Sequence, residues 1–413
     1  MDKVRAWGIV GAGGGGFPTF RKLAARADTI IVNGAECEPL LAKDKFLLRH
    51  RLDKVAKGLA LAQHLTGARR LIIAAKEKVA LAGAESRILP DFYPAGDEHL
   101  LVQMVTDKRV PEGGYPLDIG ICVLNVETLY NLAQARPVTH KLITVAGEVA
   151  KPGVYRVPVG MLLSELGQKA GAPKSGVAFI CGGPMMGDVV DPAITPVSRT
   201  TSALLALPTD HPVVRKKTEM LDLVARRARS NCIQCQFCTD LCPRALLGHG
   251  IKPHLAMRAF GYSLESAYNP RIGLDSCSTC GVCEMSACPL DLSPRRVILH
   301  LQKLGGTSQK GTGENHPLTA ERRLPREKLI VKLDLRKYLI SVPNKLIELS
   351  TNMVSILLEV FGGESPKPVV KAGDKVAVGT VIAEPAGDRG VPAHASIAGT
   401  VKSVTPEAIV IGE

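Results

Sequence analysis

The stretch Trp7-Gly8-Ile9-Val10-Gly11-Ala12-Gly13-Gly14-Gly15-Gly16-Phe17-Pro18-Thr19 decides the reading of this chain. Its apolar start predicts a short strand, its glycines a loop, and the residues from Thr19 onward a helix. Glycines let the backbone approach a bound phosphate, and a helix N-terminus favours the negative charge. The spacing Gly11-x-Gly13-x-x-Gly16 also fits a dinucleotide fingerprint, although Phe17-Pro18-Thr19 is not its usual continuation. Outward from the loop, residues 29–33, 70–75 and 119–124 read as buried strands and 53–66 as a helix. Alternation of this kind implies a helix-covered α/β domain over residues 1–137.

The composition shifts near Pro137. Residues 138–207 read as a small β-rich module, with two strands joined at Pro152-Gly153, a helix over 159–170 and a strand over 177–180. Residues 208–302 read as helices around cysteines. Residues 303–345, rich in Gly, Ser, Thr and charge, read as a linker. Residues 346–413 alternate short Val-rich strands with Gly and Pro turns, the pattern of a compact β sandwich or barrel.

Eight of the eleven cysteines lie between positions 232 and 288. They form Cys232-x2-Cys235-x2-Cys238-x3-Cys242-Pro243 and Cys277-x2-Cys280-x2-Cys283-x4-Cys288-Pro289. Three thiolates at this spacing wrap one face of a cubane, and the fourth, before proline, reaches the other cluster. The spacing therefore predicts one [4Fe-4S] cluster on Cys232, Cys235, Cys238 and Cys288, and a second on Cys277, Cys280, Cys283 and Cys242. Structural zinc, the alternative, uses pairs of CxxC separated by a spacer. Two adjacent clusters imply one-electron transfer. Cys37, Cys122 and Cys181 read as incidental or buried thiols.

Composition excludes several classes. A chain of 413 residues with 46% hydrophobic and 22% charged residues is globular and holds several domains. No apolar run approaches the roughly 18 residues of a membrane span. The glycine-rich N-terminus is a poor signal peptide, so the expected location is cytoplasmic. The net charge of +13 is spread along the chain, and aromatics are only 4%. That argues against a nucleic-acid platform.

The GxGGxGFPT continuation resembles the flavin and NADH-binding subunit of respiratory complex I. It resembles more closely the Rnf-C component of Rnf electron-transport complexes and the cobalamin reductases of propanediol-utilisation microcompartments. Asn33-Gly34-Ala35-Glu36-Cys37-Glu38-Pro39 with Asp44, Tyr93-Pro94-Ala95-Gly96-Asp97-Glu98, Asn125-Val126-Glu127-Thr128-Leu129 and Gly182-Gly183-Pro184-Met185-Met186-Gly187 are similar to further segments of this Rnf-C-like, complex I flavoprotein-like family. The β module with Ala393-His394-Ala395 lies at the C-terminus, the domain order of the cobalamin reductase group. The resemblance implies a complex I flavoprotein-like α/β domain, a soluble-ligand-binding β-grasp module, a helical two-[4Fe-4S] ferredoxin-like domain and a C-terminal barrel-sandwich.

It also implies FMN. Gly11, Gly13, Gly14, Gly15 and Gly16 would surround it, and Asn33, Asn125 and Thr128 would anchor it. Phe17 would offer an aromatic face and Lys22 a cation, with Glu36 and Glu38 on the nucleotide side. Ala12, Ala25 and Ala35 depart from the complex I pattern on that side. The function so implied is NADH-driven electron transfer through FMN and both clusters to a downstream acceptor. That acceptor would be a corrinoid, a corrinoid enzyme or adenosyltransferase, or another redox partner. The alternative is a relay subunit fed by another protein. The setting would be a bacterial microcompartment or the periphery of the inner membrane.

Overall fold

The computed structural model describes residues 1–264, 271–305, 310–359, 361 and 365–413. The first domain is built on four parallel strands: β1 (Thr29–Gly34), β2 (Arg70–Ala75), β3 (Glu85–Ile88) and β4 (Ile121–Asn125), in the order β3-β2-β1-β4. Ile30, Ile31 and Val32 are fully buried, because both faces of a parallel sheet carry helices. Helix α1 (Thr19–Ala24) precedes β1, and α2 (Lys43–His50) and α3 (Leu52–Thr66) link β1 to β2. Helix α4 (Glu98–Thr106) precedes β4, and α5 (Val126–Gln134) follows it. Helix α3 buries Val55, Gly58, Leu59 and Ala62, one helical stripe, and ends at Gly67 with φ 74. It crosses α5 so closely that a Cβ on Gly58 would lie 1.9 Å from the Leu129 carbonyl oxygen.

The strand expected before the glycine loop does not join this sheet. Val10 makes only an isolated antiparallel bridge to Pro18. The loop therefore folds back on itself and is not the first turn of a Rossmann unit. Five glycines leave too little side chain to hold a strand there.

The second module is a six-stranded sheet containing β5 (His140–Gly147), β6 (Gly153–Pro158), β7 (Val177–Cys181), β8 (Asp188–Val190) and β9 (Ala203–Pro208). Its outer strand, Ile347–Glu348, arrives from much later in the chain and pairs with β6 in parallel. Around the cysteines, helices Leu221–Asn231, Pro253–Gly261 and Pro294–Leu304 share a core with Val224, Met257 and Val297. At the C-terminus a four-stranded and a three-stranded sheet enclose Ile382, Ile409 and Ile411. This body packs on the first domain: Arg199 donates to the carbonyls of Gly8 (3.1 Å) and Pro392 (2.9 Å).

The expected linker is packed where it is described. Leu324–Pro325 pairs with Phe92–Tyr93, and the helix Arg326–Lys332 buries Leu329 and Ile330 in a shared core with Leu205 and Met285. The charge-rich composition hid an apolar stripe of four residues, Leu329, Ile330, Leu333 and Leu335. Leu329→Ala should therefore destabilise the protein by about 2–5 kcal/mol in denaturant unfolding. A loss within about 0.5 kcal/mol, as at a free surface position, would contradict this packing.

Candidate flavin crevice and cysteine quartets

Strand order reverses at β1, which has β2 on one side and β4 on the other. In such sheets a crevice opens beyond the carboxyl ends of the strands at the reversal. Asn33 and Asn125 sit there as register partners. Asn33 donates to the Gly96 carbonyl (2.9 Å) and accepts from the Ala35 amide (3.2 Å). Asn125 caps α5 by accepting from the Glu127 amide (2.9 Å) and donates to Asp44 (2.7 Å). The Thr128 hydroxyl accepts from the Ala12 amide (3.0 Å). These three polar residues thus fix the loops that frame the crevice.

The glycine loop is closed by Gly11 N–H to Phe17 O (2.9 Å) and Gly16 N–H to Gly11 O (3.2 Å). Among the described residues, the amides of Gly13, Gly14 and Gly15 donate to no group of the protein. A Cβ on Gly14 or Gly15 would meet nothing within 4 Å. Bare amides over open space are a cradle for an anionic or planar ligand, and the loop fits an FMN in this respect. Beside it, Phe17 packs 5.9 Å from Tyr115, and Lys22 Nζ lies 5.7 Å from the Phe17 ring centroid. Lys22 donates to Glu98 (2.8 Å) and to the Val123 carbonyl (3.0 Å).

Beneath the loop lies a buried ionic network. Glu127 accepts from Lys43 (2.8 Å) and Lys141 (2.5 Å), and Lys141 also donates to the Ala12 carbonyl (3.1 Å). Burial works against the Glu127 carboxylate, but Lys141 and Lys43 outweigh it and hold its pKa below the usual range. Burial likewise opposes the Lys43 charge, and Asp44 and Glu127 overcome it. Lys141 is lowered to about 8, because burial and the nearby Lys43 exceed the pull of Glu127.

The two glutamates expected on the nucleotide side both accept from backbone amides. Glu36 accepts from the amides of Asp44 (2.8 Å) and Lys45 (3.1 Å) at the start of α2. Burial, then the Asp44 carboxylate, raise its pKa to about 7. Glu38 accepts from the amides of Met185 (3.0 Å) and Met186 (2.8 Å), and so ties the first domain to the Gly182–Gly187 loop of the second module.

The eight motif cysteines fall into two groups. Cys232, Cys235, Cys238 and Cys288 line one cavity of about 360 Å³, its mouth included, with His254, Met257 and Leu292. Cys280 and Cys283 each lie close enough to Cys242 and Cys277 to interact with them electrostatically. Burial pushes the Cys238 and Cys242 thiols up to about 12. Buried thiols that neighbour one another ionise only beside a strong positive charge, which an iron cluster supplies. Among the described residues no three metal-ligating side chains converge on a single-ion site; Cys232, Cys235, Cys238 and Cys288 instead line the cavity.

One segment, Tyr93–Glu98, touches both halves. Gly96 donates to Cys37 Sγ (3.4 Å) and accepts from Asn33, and Glu98 holds Lys22. On the other side, the Tyr93 hydroxyl donates to the Cys280 carbonyl (2.6 Å), and Asp97 pairs with Arg244 (3.0 Å).

Comparison with known proteins fits this arrangement. The family model for the Nuo51 FMN-binding domain matches residues 4–134 and that for the 4Fe-4S dicluster domain residues 231–293. The SLBB domain matches 142–189 and the RnfC barrel sandwich hybrid domain 342–413. Over 99% of its length the chain is 40% identical to cobalamin reductase PduS of Citrobacter freundii, covering 95% of that protein. It is 39% identical to cobalamin reductase PduS of Salmonella typhimurium over the same shares of both chains. The chain belongs to the cobalamin reductase PduS family. It is also 32% identical to a component of the ion-translocating oxidoreductase complex of Vibrio cholerae, over 63% of this chain and 35% of that one. This member of the PduS family is an oxidoreductase that carries electrons by flavin and iron–sulfur chemistry.

Sequence reading did not single out Glu98, Tyr115 or Lys141. Glu98 stands in a quoted segment, but its partner Lys22 lies in another. Lys141 reaches the loop from a different module, and no local pattern marks it. Gly15→Val should leave stability within about 0.5 kcal/mol, since a Cβ there meets no protein atom within 4 Å, while bound flavin falls sharply. Unchanged flavin content would remove the loop from the site. Glu127→Ala leaves two buried lysines short of a partner and should cost about 3–5 kcal/mol in unfolding experiments.

Proposed function

We propose that this chain passes electrons from NADH, through FMN in the crevice and two [4Fe-4S] clusters, to a corrinoid bound by a partner protein. The observation that carries this reading is one chain that holds an open glycine cradle and two separate cysteine quartets, with Tyr93–Glu98 joining the crevice to the quartet of Cys280. The corrinoid is taken from the PduS relatives, whose name says that they reduce cobalamin. A corrinoid enzyme or adenosyltransferase is the matching class of partner. Among the described residues no helix is long and apolar enough to cross a membrane. The proposed workplace is the cytoplasm, in a microcompartment where a corrinoid enzyme is housed.

In this reading Gly11, Gly13, Gly14, Gly15 and Gly16 cradle FMN. Asn33, Asn125 and Thr128 fix the loops that orient it, and Phe17 and Lys22 wall one side. Glu36 and Glu38 hold the adjoining loops through backbone amides. Cys232, Cys235, Cys238 and Cys288 hold one cluster, and Cys242, Cys277, Cys280 and Cys283 the other. FMN, when bound, supplies the conversion between a two-electron hydride and single electrons. The balance is one NADH and two oxidised one-electron acceptors in, and NAD⁺, one proton and two reduced acceptors out.

A second reading is a relay that takes electrons from another protein, including a complex at the inner membrane. It is favoured by the engagement of both Glu36 and Glu38 with backbone amides, which leaves neither dedicated to a nucleotide. Anaerobic absorbance separates the two. NADH should bleach flavin and cluster absorbance in the purified holoprotein. Bleaching by dithionite alone would replace the NADH reading with the relay. Iron should number about eight per chain and fall to about half in Cys280→Ala. Full retention would contradict that ligand set.

A further inference from the structure

The two cysteine quartets have different surroundings. The quartet of Cys232, Cys235, Cys238 and Cys288 opens a cavity lined only by residues between 232 and 294. Of its lining Ile233 is 66% exposed, and Phe237, between the lining residues Gln236 and Cys238, is 50% exposed, so this quartet adjoins solvent. In the quartet of Cys242, Cys277, Cys280 and Cys283, Cys242 and Cys283 are buried and Cys277 and Cys280 half-buried, and the first domain and the second module pack against it. Tyr93, 2% exposed, donates its hydroxyl to the Cys280 carbonyl at 2.6 Å. Arg244, two residues beyond Cys242, pairs with Asp97 at 3.0 Å. A Cβ on Gly281 would lie 2.9 Å from the Met185 carbonyl oxygen, which places the second module against the same loop. Tyr93 and Asp97 belong to the segment whose Gly96 and Glu98 hold Asn33 and Lys22 at the crevice.

We propose that electrons enter at the inner quartet (Cys242, Cys277, Cys280, Cys283) and leave through the outer quartet (Cys232, Cys235, Cys238, Cys288), with Tyr93 as the positioning residue between the crevice and the inner cluster. The proposal rests on the flavin and cluster reading above. Each passage removes one electron from the reduced flavin and reduces the inner cluster by one. That electron then reduces the outer cluster, reoxidises the inner one, and passes to the one-electron acceptor outside. Two passages restore the oxidised flavin and release its protons. The Tyr93 hydroxyl has a second effect. By donating to the Cys280 carbonyl it offsets negative partial charge beside the inner cluster, which favours the reduced, more negative state. The exposed rim around Ile233 and Phe237 is where an acceptor approaches.

The test uses the full holoprotein and Tyr93→Phe, which keeps the ring and removes the hydroxyl. In redox titrations followed by electron paramagnetic resonance, one cluster signal should move to lower potential in the variant. The expected size is on the order of tenfold in its one-electron equilibrium, about 59 mV, with the other signal unmoved. In wild type mixed rapidly with NADH and frozen, the signal that Tyr93→Phe moves should develop first. Movement of both signals or neither, or later development of the moved one, would overturn the proposal. If NADH leaves wild-type flavin oxidised, the donor reading fails by itself. Illumination with EDTA then reduces the bound flavin, and the order of the signals is read in the same way. Should Tyr93→Phe lose iron, Cys238→Ala decides. Flavin-driven reduction of the remaining cluster at the wild-type rate, with loss of acceptor reduction, supports the order; loss of flavin-driven cluster reduction overturns it.

Discussion

The contact on which the arrangement depends is the hydrogen bond from Tyr93 to the Cys280 carbonyl, together with the Asp97–Arg244 pair beside it. Electron transfer weakens steeply with distance, so a flavin and a cluster must be held at a fixed, short separation. Tyr93–Glu98 ties the crevice to the cysteines with four kinds of contact in six residues. The phenol and a carboxylate face the cysteines, while a carbonyl and a second carboxylate face the crevice. Asp97 also caps α4 by accepting from His99 and Leu100, so the segment is rigid at its helical end. Glu38, reaching the Met185 and Met186 amides, braces the same junction from the second module.

The ionic network below the glycine loop answers a different need. A loop of five glycines has little side chain with which to define its own shape, and its backbone must be held from beneath. Lys141 and Thr128 do so by binding the carbonyl and amide of Ala12. Buried charge of this kind adds little net stability when fully paired. Its role here is geometric, because the lysine comes from the second module and the threonine from the first. Loop shape is thereby coupled to how the two modules dock.

Much of this was legible in the residues. The cysteine spacing announces two interleaved quartets, since spacing within a motif is local information. The same holds for the strands of the first domain, where unbroken runs such as Ile30–Val32 need no partner to be recognised. Packing between modules was not legible. Glu36 and Glu38 look like ligands in a loop motif, and only the fold reveals that amides from Asp44, Lys45, Met185 and Met186 occupy them. Residues 303–345 look like a linker by composition, whereas the buried face of Leu329 and Ile330 becomes visible only against the core they join. Val10 likewise satisfies a strand pattern without a neighbour in the sheet.

The central claim is that one chain joins a two-electron carrier to two one-electron carriers. An anaerobic reductive titration that counts electrons taken up per chain tests it most directly. A flavin accepts two electrons and each cluster one, so complete reduction should take four, with the flavin and cluster absorbance both lost by the end point. An end point at two electrons, with the change confined to either the flavin or the clusters, would contradict the account.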